Sequence, residues 1–135
     1  MGQRAPTVAE AMVTDVKLSG AATTVREVRS LFADDHIHSA VFVERGVLLG
    51  VVDRADLPDD APEDAPALRF AVTRERVVST DADLDRAKRR LIASGRRRLA
   101  VVDADGRFAG LLCLKRSLAG FCSDQDVGAR RENPW

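Results

Sequence analysis

Apolar residues follow two alternating rhythms along the chain. Val25, Val28, Leu31 and Phe32 recur at the spacing that gives a helix one buried face, and Thr24 with Glu27 forms a T-x-x-E capping box at its start. Leu84, Ala87, Leu91 and Ile92 repeat the stripe behind Asp83, a good cap, while Arg86, Lys88, Arg89 and Arg90 turn mostly toward water. The continuous runs 40–43, 47–52, 99–102 and 108–114 are short and rich in Val and Leu. They predict strands covered on both faces, flanked by the two helices.

These elements form two copies of one pattern. A shift of 59 places lays Met12, Val13 and Thr14 over Ala71, Val72 and Thr73, and Ala40 to Glu44 over Leu99 to Asp103. The shift then becomes 60, so that Gly50 falls on Gly110. The extra residue lies in a turn between two runs, at Glu44 to Gly46 in one copy and Ala104 to Arg107 in the other. Each turn has a Gly able to take positive φ in a hairpin. A second capping box, Thr7 with Glu10, predicts a short lead-in helix over Thr7 to Met12. Its counterpart begins near Pro66, with Leu68 and Phe70 facing inward.

Between the copies, Pro58, Pro62 and Pro66 alternate with four carboxylates, which blocks a long helix and predicts a solvated connector. After Leu118 the pattern fades. Ala119 to Asp126 reads as the end of a last helix and Val127 to Trp135 as a mobile tail, whose Trp135 could dock on a partner.

Composition narrows the function classes. Basic and acidic residues balance at 21 each, so no net field draws the 135-residue chain to nucleic acid or membrane. Arginines 96 to 98 with Lys88, Arg89 and Arg90 could contact a phosphate backbone. Against that, aromatic content is 4% with no Tyr, and the linker is acidic, so nucleic acid is not an expected partner. No apolar run approaches the roughly 20 residues of a membrane helix, and no basic-then-apolar leader opens the sequence, so a cytoplasmic protein without a membrane partner is expected. Arg at 18 of the 21 basic positions, with abundant Ala and Asp, suggests a GC-rich bacterial genome.

Candidate chemistry is sparse. Cys113 and Cys122, the two cysteines, lie outside any C-x-x-C or Cys/His cluster and read as reduced, small core residues. His36 and His38 form H-x-H, but no further ligand is fixed beside them, so no metal site is expected. No G-x-S-x-G, H-E-x-x-H, P-loop or dinucleotide loop occurs, and no enzyme activity is expected.

A β-α-β-β-α unit repeated at this spacing, each hairpin ending in Gly and two apolar residues, resembles the CBS domain, named for cystathionine β-synthase. The resemblance spans about Thr7 to Ala119. It implies an α+β fold of two CBS repeats packed with pseudo-two-fold symmetry into one compact module. Boundaries follow at 7–58 for the first repeat, 59–65 for the acidic Pro-rich linker, 66–119 for the second repeat and 120–135 for a helix end and tail.

The family's ligand motif has Gly, two apolar residues, Ser or Thr, two unconstrained positions and Asp, its hydroxyl contacting phosphate and its Asp accepting from both ribose hydroxyls. Copy one reads Gly50, Val51, Val52, Asp53, Arg54, Ala55, Asp56. It keeps the ribose-type Asp56 but sets Asp53 in the hydroxyl's place. Copy two reads Gly110, Leu111, Leu112, Cys113, Leu114, Lys115, Arg116, with a thiol for the hydroxyl and a cation for the carboxylate, so it counts as degenerate. Energy-sensing relatives carry His-Arg before the first hairpin strand. Here His38 precedes Ser39, and Arg97 precedes Arg98. By resemblance, Asp56 with Arg97 and Arg98 would form one composite site, and Arg116 with His38 a decayed one.

Asp53 bears on the ligand. A phosphate about 4 Å from an uncompensated carboxylate is opposed by roughly 4 kcal/mol at an effective dielectric near 20. Arg97 and Arg98 could compensate it, or Asp53 could instead cap the following helix. The resemblance thus implies a regulatory module that needs no cofactor. It senses an adenine nucleotide, adenosine or S-adenosylmethionine in one cleft between the repeats, forms a homodimer through its helices, and acts on a regulated protein the sequence does not name. The alternative is a ligand-free dimerisation or interaction module with decayed sites.

Overall fold

The computed structural model describes residues 5–122. Contacts divide the described residues into two units, residues 17–76 in one and residues 5–16 with 77–122 in the other.

In the first of these, β1 (Leu18–Ser19) runs parallel to β2 (Ser39–Glu44), which pairs antiparallel with β3 (Val47–Asp53). A parallel pair needs a crossover, and α1 (Val25–Phe32) supplies it. The helix starts where its capping box is satisfied: the Glu27 N–H donates to Thr24 Oγ1 at 3.2 Å and the Thr24 N–H to Glu27 Oε1 at 3.1 Å. Its stripe of Val25, Val28 and Phe32 packs on Ala40, Phe42 and Val52. The opposite face of the sheet, at Val41 and Val51, is buried too, as the continuous apolar runs require.

The second unit repeats the plan. β4 (Val77–Ser79) is parallel to β5 (Arg98–Val102), β5 is antiparallel to β6 (Phe108–Cys113), and α2 (Leu84–Ser94) makes the crossover. Ala87 and Leu91 pack on Leu99, Val101, Leu112 and Leu114. Each such large aliphatic side chain, fully buried, contributes about 1.5–3 kcal/mol. Ile92 departs from its predicted place and is 46% exposed. One residue beyond Leu91 it is rotated about 100° around the helix, past the edge of the buried stripe.

The hairpins differ by the inserted residue. Arg45 and Gly46, at φ 51° and 82°, make a two-residue turn, whereas Asp103 to Arg107 makes a longer one with Gly106 at φ 80°. Both hairpins carry a bulge, between Phe42 and Val43 and between Val101 and Val102.

The lead-in segments change hands between repeats. Val13 pairs with Leu111 of the second hairpin, and Val72, its counterpart under the 59-residue shift, pairs with Val51 of the first. Likewise Thr7 bridges Asp83 and Pro66 bridges Thr24. Each lead therefore completes the unit built by the other repeat's hairpin. This exchange explains why the units begin and end about ten to eighteen residues beyond the repeat boundaries. The leads themselves are single 3-10 turns, Val8–Glu10 and Ala67–Phe70, shorter than the helices expected. Val8 and Ala67 are fully buried there, so one inward residue anchors each turn.

Three further expectations change. The linker is docked as well as solvated: residues 58–60 and 62–64 are exposed, but the backbone N–H groups of Val25 and Arg26 donate to the carbonyls of Ala65 and Glu63, and Ala61 is buried in the cluster that α1 helps form. Arg29 pairs with Glu63 and donates to the Pro58 and Asp59 carbonyls, so the acidic stretch answers cations on the helix. The element closing the first repeat is one 3-10 turn, Arg54–Asp56. After β6 the chain does not continue as a helix at Ala119 but folds back, with Phe121 bridging Leu114. The rest of the expected last helix, the tail and Trp135 lie outside the described residues.

Candidate functional site

The first unit gathers Gly50, Asp53 and Asp56 at the end of its hairpin. Gly50 lies in β3 where the Val51 N–H and carbonyl pair with Val72 at 3.0 and 2.9 Å. A Cβ there would stand 2.8 Å from the Ala71 Cβ, so only glycine lets the exchanged lead approach. Asp53 ends β3, opposite Ser39, whose hydroxyl donates to its Oδ1 at 2.5 Å, the short distance of a hydrogen bond to a charged acceptor. The 3-10 turn then brings Asp56 back so that its Oδ2 accepts the Asp53 N–H at 2.8 Å.

Both carboxylates meet a cation that the sequence reading did not single out. Arg76 places Nη2 2.8 and 3.1 Å from the two oxygens of Asp56, and Nε 3.1 Å from Asp53 Oδ2. Its side chain is 6% exposed, those of Asp53 and Asp56 21% and 18%. The Nε contact meets the distance of an ion pair but not the angle of a hydrogen bond, and we read it as electrostatic. Burial of a guanidinium is tolerated because two carboxylates share it. A tight turn aims it: the Arg76 N–H donates to the Thr73 carbonyl, and Glu75 adopts a left-handed φ of 61°, a conformation costly for a side chain of that size.

Asp53 is therefore compensated by Arg76, a partner different from the Arg97 and Arg98 considered from the sequence. The signal existed: Arg76 lies over Lys17 in the 59-residue shift, each four residues after the valine that pairs with a hairpin. What the sequence did not convey is that the lead, with its cation, completes the opposite repeat's unit.

The other predicted residues fall as follows. His38 immediately precedes Ser39 at the start of β2. Arg54, between the two acids, donates Nη2 to the Asp34 and Ile37 carbonyls at 2.9 and 2.6 Å and lies 5.0 Å over Phe32, which fixes the loop after α1. Arg97 and Arg98 belong to the second unit, where Arg98 begins β5 opposite Cys113 and the Arg97 carbonyl accepts the Leu114 N–H.

In that unit Gly110 repeats the role of Gly50: a Cβ would stand 2.7 Å from the Val13 carbonyl oxygen. Cys113 is buried at the position of Asp53, and Arg116 is exposed on the turn that follows. No carboxylate of the motif stands there to hold a ribose. Among the described residues, no three or more His, Cys, Asp or Glu side chains converge as a metal site, and no helix is long and apolar enough to cross a membrane.

Comparison with known proteins agrees with the repeat. The family model described as CBS domain matches residues 8–58 and 70–116. Solved structures share the fold. A CBS domain pair/ACT domain protein from Thermotoga maritima is 21% identical, with 94% of this chain and 98% of that one covered and a TM-score of 0.65. CBSX2 in complex with AMP is 22% identical, over 96% and 98%, with a TM-score of 0.68. The cytosolic domain of the Mg2+ channel MgtE in complex with ATP is 24% identical with a TM-score of 0.64; 77% of this chain spans 44% of that one. No curated protein matches. With both matches falling on the two halves of the internal repeat, the chain belongs to the CBS domain family and carries two copies of that domain.

Proposed function

We propose that the chain is a regulatory, non-catalytic module that senses an adenosine-type ligand through the first repeat's Gly50, Asp53 and Asp56, with Arg76 as the cation that offsets part of their charge. The observation carrying this reading is the pair of carboxylates at the N-cap and last positions of one 3-10 turn, held by a single buried guanidinium. Asp56 has the position and charge to accept from ribose hydroxyls. Its Oδ1 takes one Arg76 contact where a carboxylate oxygen can accept two hydrogen bonds. Two acids against one cation leave a net negative charge, so adenosine or S-adenosylmethionine suits the site better than AMP or ATP. Solved structures of similar fold that are described with AMP and with ATP support the ligand class. Ligand binding acts on the regulated protein, and on self-association, by favouring one of two states.

A second reading is favoured by the same guanidinium. Arg76 already engages both carboxylates, and the second repeat's motif ends in Arg116, as a ligand-free interaction module would have it. A thermal-shift panel of AMP, ADP, ATP, adenosine and S-adenosylmethionine, with guanosine as control, separates the two. A ligand at 100 times its Kd adds about 2.7 kcal/mol of stability. The sensor reading expects an adenosine-specific rise that is lost in Asp56→Asn. The same midpoint with every compound at millimolar concentration supports the interaction module.

A further inference from the structure

The fold-back after β6 places the chain's two cysteines side by side. Cys113 Sγ and Cys122 Sγ are 3.0 Å apart, both residues are buried, and neither is in a disulfide. The pair is held by backbone: the Cys122 N–H donates to the Cys113 carbonyl at 2.7 Å, the Lys115 N–H to Gly120 at 2.8 Å, and Leu114 bridges Phe121 between them. Cys113 and Cys122 are thus opposed across an antiparallel ladder. Facing residues of an antiparallel ladder have Cα atoms about 4.5–5.5 Å apart, within the span a disulfide bridges. Closing the sulfurs from 3.0 Å to the roughly 2.05 Å of a bond asks for about 1 Å of movement. Among the described residues, Val13 and Val16 pack with them in a small cluster apart from the unit's main core.

We propose that Cys113 and Cys122 form a modification site for a two-electron oxidant of the peroxide class, which converts them to an intramolecular disulfide. One sulfur attacks a peroxide oxygen as thiolate; the O–O bond breaks, the sulfur becomes a sulfenic acid, and the departing hydroxide takes up the thiol proton as water. The second sulfur attacks the sulfenic sulfur, the S–S bond forms, and a second water leaves with the remaining proton. Two electrons and two thiol protons thus turn one peroxide into two waters. A small oxidant fits the burial of the pair better than a bulky disulfide reagent does. The bond would fasten the end of β6, where the degenerate motif has its thiol, to the returning segment. This proposal is independent of the ligand reading for the first repeat.

The test uses the full wild-type chain, reduced and then treated with hydrogen peroxide, unfolded in the presence of an alkylating reagent and measured by intact mass. With two cysteines in the sequence the assignment has no ambiguity. The expected product is a monomer lighter by two hydrogens with neither cysteine alkylated, reverting to two alkylated thiols after dithiothreitol. Treating the chain in denaturant should lower the yield, because the ladder that opposes the sulfurs is gone. Two alkylated thiols after peroxide, sulfinic or sulfonic products on separate cysteines, or disulfide-linked dimers would each overturn the proposal. In Cys122→Ser a sulfenic acid trapped by dimedone should replace the disulfide; if that variant does not fold, the wild-type mass decides alone.

Discussion

At the residue scale, Arg76 concentrates the most consequence. Its guanidinium is buried between two carboxylates, and breaking a buried pair costs about 3–5 kcal/mol because the remaining charges lose their partner. Asp53 and Asp56 keep about a fifth of their surface in water, which moderates that cost. Arg76→Met is expected to lower unfolding free energy by roughly 2–4 kcal/mol, measured by denaturant titration. An equal midpoint would show that the ion pair contributes nothing net. The glycines make a sharper geometric claim. Alanine at Gly50 or Gly110 must displace an exchanged lead, at a cost of about 1–3 kcal/mol. Gly110→Ala should be the worse, because its Cβ would meet the backbone oxygen of Val13, whereas that of Gly50 meets a side-chain carbon first.

Among the elements, helices and hairpins were legible because their information is local. A capping box followed by an apolar stripe needs no partner to be recognised, and Thr24 with Glu27 behaves as written. Thr24→Ala should cost about 1 kcal/mol, read from the shift in denaturant midpoint. What stayed illegible was long-range. The linker's docking was missed because composition reports charge but not the cations of α1 that answer it, and Ile92 was misplaced because a stripe's edge depends on what packs against it. Docking of the linker yields its own test. Arg29→Ala removes the contacts to Glu63 and to the Pro58 and Asp59 carbonyls, so limited proteolysis between residues 58 and 66 should accelerate severalfold. Unchanged cleavage would mean that the backbone bonds to Val25 and Arg26 hold the linker by themselves.

For the whole molecule, two copies of one domain were visible as a 59-residue shift, and the family model matches both copies. The exchange of leads was not visible, since a repeat in sequence is silent on which copy a segment completes. That exchange brings Arg76 to Asp53 and Asp56 and offsets part of the charge of an acidic pair. It also changes how the site must be probed. Asp56→Ala would remove Arg76's main partner along with any ribose contact, whereas Asp56→Asn keeps an oxygen for Arg76. The ribose contact itself can be tested without touching the protein, by calorimetric titration with adenosine and with 2′-deoxyadenosine. The account predicts binding of adenosine and an affinity for the deoxy compound lower by about tenfold or more, the loss of one hydrogen bond to a charged acceptor. Equal affinities, or no heat from either nucleoside, would contradict it.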